Sequence, residues 1–78
     1  MTNYGYVLVD KDTNEILKFG ETLYPASRYS KSYITTHNAK MIILDQGSKS
    51  DIHYWQIDLN DYYKYKYGQY PPMNINGK

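Results

Sequence analysis

Two short β-prone runs on either side of a polar hexapeptide constrain this chain more than any other feature. Tyr4-Gly-Tyr-Val-Leu-Val9 is rich in aromatic and β-branched residues, the composition of a strand. Asp10-Lys-Asp-Thr-Asn-Glu15 supplies the Asp and Asn side chains that stabilise turns through local hydrogen bonds. Ile16-Leu-Lys-Phe-Gly-Glu21 then resumes the apolar pattern. A β-hairpin is the economical reading, and everything after it must pack on that hairpin.

The remaining elements follow in order. Pro25 marks a helix start, since its fixed φ and missing N–H suit a first turn, and the helix is expected from Ala26 to about Tyr33. Thr35 to Asn38 breaks it. Ala39 to Asp45, with two adjacent Ile residues, reads as a third strand in the centre or at the inner edge of a sheet. Gln46-Gly-Ser-Lys-Ser is a turn, with Ser48 or Ser50 as N-cap of a long helix from about Asp51 to Tyr67. Ile52, Trp55, Leu59, Tyr62 and Lys66 recur at helical spacing and form the expected apolar stripe, with His53, Gln56, Asn60 and Tyr63 beside it. Gly68 ends the helix, and Pro71-Pro72 forces an extended tail through Met73, Asn74 and Ile75 that is expected to return to the sheet. The fold class is α+β: a compact ββαβα, a three-stranded antiparallel sheet with helices packed on it, spanning residues 1–78 as one domain.

A chain of 78 residues buries only about 60–65% of its unfolded surface, so its stability is marginal unless something compensates. Cysteine is absent, which excludes disulfides and thiolate zinc sites, and His37 and His53 have no ligand-spaced partner. Eleven Tyr, one Trp and one Phe offer the compensation instead, each ring able to bury on the order of 150–250 Å². Most of these tyrosines are expected to pack half-buried with their hydroxyls in water. The net charge of +1 gives no electrostatic case for nucleic-acid binding unless the positive charge is gathered on one face. No apolar run approaches the roughly eighteen residues of a membrane span, and no signal-peptide pattern opens the sequence.

One constellation looks like chemistry rather than packing. Tyr4-Gly5-Tyr6, then Lys18-Phe19-Gly20 with Glu21-Thr22, then Arg28 eight residues after Gly20, and finally a closing helix with a downstream Asn74 resemble the GIY-YIG endonuclease domain in order and spacing. The run Lys18 to Thr22, five residues, then Arg28-Tyr29 is most similar to the branch found at the C-terminus of secreted bacterial polymorphic toxins. The resemblance implies a nuclease that hydrolyses phosphodiester bonds in DNA or RNA as a toxin effector domain. It further implies secretion as part of a larger protein, action in the cytoplasm of a target cell and an immunity protein as partner. It assigns Tyr6, Lys18, Arg28, His53, Gln56 and Asn74 to catalysis, and Gly20, Glu21 and Thr22 to substrate binding.

The physical logic is that phosphodiester hydrolysis needs a group to activate water and a cation at the phosphate. Tyr6 would do the first with its pKa lowered by Lys18, and the forked guanidinium of Arg28 the second. Gly20 would let the substrate approach the backbone. The family's metal-binding Glu is matched here by Gln56, a poor ligand for Mg²⁺. A divalent cation would therefore need Glu21 or His53 as a substitute donor. The alternative reading is a non-catalytic nucleic-acid-binding or protein-interaction module on the same fold.

Overall fold

The computed structural model describes residues 1–77. Strand β1 (Asn3–Asp10) is central, flanked by β2 (Ile16–Thr22) and β3 (Ala39–Gly47), and both pairings are antiparallel. Two helices complete the α+β arrangement: α1 (Lys31–Thr36) and α2 (Lys49–Tyr67).

β1 takes the centre because Tyr6, Val7, Leu8 and Val9 are all buried, so both of its faces are covered. β3 lies at an edge, not in the centre or at an inner edge. Its adjacent apolar residues must point to opposite faces, and Ile42, Ile43 and Leu44 all remain exposed. Between β1 and β2, the Asp10 carboxylate accepts the N–H groups of Asp12 and Thr13 and holds the turn. Those two backbone donors lower its pKa. Asn14 adopts the left-handed conformation that closes the turn (φ 61°), and the Asn38 amide donates to Asp10 and Asp12 from the residue just before β3.

The core sits between the sheet and α2, where Val7, Val9 and Phe19 pack against Ile16, Trp55, Leu59 and Tyr63. Trp55 lies so close to Gly5 that a Cβ there would meet its ring at 2.5 Å, so glycine is the residue that admits the indole. The buried helical stripe thus ends on Tyr63, whose ring meets Phe19 edge-on at 6.4 Å, while Tyr62 and Lys66 face outward. Ser48 is the N-cap, accepting from the Asp51 N–H, and Gly68 closes the helix in the left-handed region (φ 82°).

The first helix begins later than Pro25 signals. Residues 23–30 form turns, and α1 starts at Lys31 because the Ser30 hydroxyl accepts the Tyr33 N–H, a cap that nothing near Pro25 can match. It also runs through Thr35 and Thr36, which were expected to break it, and ends at His37 with Asn38 left-handed.

The tail returns to the sheet as expected. Met73 N–H donates to the Leu17 carbonyl at 2.9 Å. Asn74, 2% exposed, accepts the Phe19 N–H on Oδ1 at 2.8 Å and donates from Nδ2 to the Phe19 carbonyl at 2.9 Å. Gln56 of α2 donates to the same carbonyl at 3.3 Å. The backbone of one β2 residue thereby ties strand, helix and tail together. Replacing Asn74 by Ala would strip the buried Phe19 N–H of its partner, with an expected loss of about 2–3 kcal/mol. Urea unfolding of Asn74→Ala checks this; a loss below about 0.5 kcal/mol, the size of an ordinary surface substitution, would contradict the clamp.

Candidate functional site

An open cleft of about 520 Å³ follows the outer edge of β2. Tyr6, Lys18, Gly20 and Glu21 of the hairpin line it, with Arg28 from the loop before α1 and His53 and Gln56 from α2. Seven residues chosen from a sequence span of more than fifty positions thus meet in one depression. Two others do not. Asn74 is buried behind the cleft, with both amide atoms committed to the Phe19 peptide. Thr22 lines a neighbouring cavity of about 420 Å³ with Asn3, Leu23 and Lys49, and its hydroxyl accepts the Tyr24 N–H.

Within the cleft, Tyr6 departs from the role expected of it. It is 1% exposed, and its hydroxyl hydrogen-bonds that of Tyr29 at 2.7 Å. Burial first, then the contact with Tyr29, push its pKa well above the ordinary phenol value of 10.0, and the charge and hydrogen bonding of Arg28 only partly oppose this. The opposing cation is Arg28, not Lys18. Tyr6 is a neutral phenol at neutral pH, unsuited to act as a phenolate base. Gly20 serves it directly. The two residues face each other across β1 and β2, and a Cβ at position 20 would collide with the phenol ring. Glycine here makes room for Tyr6 rather than for a substrate.

Tyr29 was not singled out in the sequence, yet it organises this wall. Its ring meets Tyr6 edge-on at 6.0 Å, stacks on Tyr33 at 4.8 Å, and carries the Arg28 guanidinium 4.3 Å above its face. That cation–π contact orients an otherwise exposed arginine at the cleft mouth. The Arg28-Tyr29 dipeptide was the available signal, but only the long-range pairing with Tyr6 gives it meaning.

On the opposite wall, His53 Nδ1 lies 3.2 Å from Glu21 Oε1. An imidazole held by a carboxylate at one nitrogen keeps the other for proton transfer. Asp61, Tyr70 and Asn76 also line the cleft, although the sequence offered no motif for them. Asp61 is the carboxylate that α2 does contribute, five positions beyond Gln56. The donors nonetheless fit a tightly held divalent cation poorly. Gln56 turns its amide nitrogen toward Phe19, Glu21 engages His53, and no three acidic, His or Cys side chains gather in one group among the described residues.

No family model, curated protein or solved structure matches the chain at a significant level. Among the described residues no helix is long and apolar enough to cross a membrane.

The state of Tyr6 has a measurable consequence. Its folded pKa lies above its unfolded one, so its contribution to stability is complete below pH 10 and is lost as pH rises from there through the folded value. The expected slope is up to about 1.4 kcal/mol per pH unit. Urea titrations between pH 8 and 11 should show this decline, and Tyr6→Phe should flatten it. An equal decline in both proteins would contradict the assignment.

Proposed function

We propose that this chain is a nuclease that hydrolyses phosphodiester bonds in DNA or RNA, with the β2-edge cleft as its site. The observation that carries the reading is the convergence of Lys18, Arg28 and the His53–Glu21 pair on one open depression. Arg28, seated on Tyr29, holds the phosphate with its planar fork, and Lys18 adds a second cation to offset charge on the leaving oxygen. His53 donates Nδ1–H to Glu21, so that its Nε2 takes a proton from the attacking water, while the ammonium of Lys18 gives one to the leaving oxygen and is reprotonated from solvent. Tyr6 is a positioning residue in this scheme, fixing Tyr29 beneath the arginine. The resemblance in the order of Tyr4-Gly5-Tyr6, Gly20 and Arg28 supports the same reading. It also supports an effector domain delivered within a larger secreted bacterial toxin, acting in the cytoplasm and paired with an immunity protein.

A second reading is favoured by the buried, protonated Tyr6: the same cleft binds nucleic acid without cutting it. Digestion of plasmid DNA and total RNA, each with Mg²⁺ and with EDTA, separates the two. Cleavage by the wild type, reduced about 100-fold or more in Arg28→Ala and in His53→Ala, is the outcome expected of the nuclease. Intact substrates under every condition would end that reading. Retarded bands on a gel that vanish steeply with added salt would then support binding alone.

A further inference from the structure

The two edges of the sheet are treated differently. The outer edge of β2 is occupied by the tail, through Met73 to Leu17 and Asn74 to Phe19. The outer edge of β3 has no strand, helix or loop paired with it among the described residues. It also carries the run Ile42, Ile43 and Leu44, exposed by 40%, 43% and 52%, the only three consecutive large apolar residues left this open among the described residues. An edge with unpaired backbone groups and apolar side chains is a template for another strand.

The register along β3 indicates which strand fits. Opposite β1, Ile43 pairs with Tyr6 and Asp45 with Gly5, so Leu44 is the extra residue of a bulge. With that residue set aside, Lys40, Ile42 and Asp45 share the sheet face that α2 covers, since their partners Val9, Val7 and Gly5 alternate along β1. Met41 and Ile43 share the other face. If β3 meets a second β3 antiparallel about a two-fold axis at Ile42, and Leu44 of each copy stays bulged out of the new pairing as it is opposite β1, Lys40 of each copy faces Asp45 of the other, and Met41 faces Ile43. In that register Met41, Ile42 and Ile43 meet apolar partners and Lys40 meets a carboxylate, while Leu44 stays in the bulge of each copy. A lone lysine on an edge strand ordinarily discourages pairing. Here the same strand supplies its counter-charge at the symmetry-related position.

We infer that a second copy of this chain docks on β3, forming a closed two-fold dimer with a continuous six-stranded antiparallel sheet. Assembly ends at two copies because each outer edge of the enlarged sheet is a β2 edge already covered by the tail. The surface lies on the strand farthest from the cleft, so this inference does not depend on what the cleft does.

Sedimentation equilibrium on the wild type from about 1 to 500 µM, a range that spans weak to moderate self-association, tests it with three variants. Lys40→Asp and Asp45→Lys each place like charges opposite one another at both ends of the interface. Each should weaken dimerisation about tenfold or more, and the double variant Lys40→Asp/Asp45→Lys should restore it to near the wild-type constant. Circular dichroism melts confirm that each variant is folded; both side chains are exposed, so folding is expected to survive. A wild type that is monomeric throughout would overturn the proposal. So would a dimer that ignores the single reversals, or one that the double reversal fails to rescue.

Discussion

The backbone N–H and carbonyl of Phe19 are the point on which this small fold depends. Both lie on the outer edge of β2, where no fourth strand among the described residues receives them. The Asn74 side chain takes both, acting as a strand one residue long, and Gln56 adds a second donor to the carbonyl. A buried peptide left bare on both sides would cost a large part of the stability available to a chain of 78 residues. With it satisfied, the strand, the long helix and the tail hold one another, and the cleft between them acquires fixed walls.

The aromatic residues then set what those walls present. Gly5 and Gly20 are the two places where the sheet surrenders a side chain so that a ring can lie against backbone, Trp55 on one face and Tyr6 on the other. The Tyr6 ring transmits its position to Tyr29, and Tyr29 to the arginine above it. A cation whose own contacts are mostly with solvent is thereby aimed by a chain of packing that begins in the central strand. The tyrosine-rich composition is therefore not a diffuse substitute for disulfides. Part of it is a directed support under one functional side chain.

Much of this was legible in the sequence. The hairpin, the long helix with a serine cap at Ser48 or Ser50 and a stop at Gly68, and the return of the tail all follow from local signals, because caps, turn residues and prolines act on their immediate neighbours. What escaped depends on pairings across long separations. The central place of β1 rests on which strands meet, and that is decided by burial on two faces rather than by the composition of any one run. The start of α1 was misplaced because Pro25 is a permissive signal, whereas Ser30 supplies an actual hydrogen bond. In the cleft, the order and spacing of a familiar motif pattern brought Tyr6, Lys18, Arg28 and His53 to attention, but not their states. Whether a tyrosine is an exposed base or a neutral strut depends on desolvation by neighbours remote in sequence. Asn74 and Gln56 likewise look like reactive-site amides until the Phe19 backbone groups they engage are seen.

The position of the Phe19 clamp in the chain also orders events during synthesis. The hairpin emerges first, but the residue that closes its edge is translated 55 positions later. Until residue 74 clears the ribosome, the nascent chain carries a β2 edge as bare as that of β3. Two strand-hungry edges would then coexist on one polypeptide. Completion of the fold consequently waits on the tail, and the most exposed moment of this segment is the interval between the last turn of α2 and the arrival of Asn74.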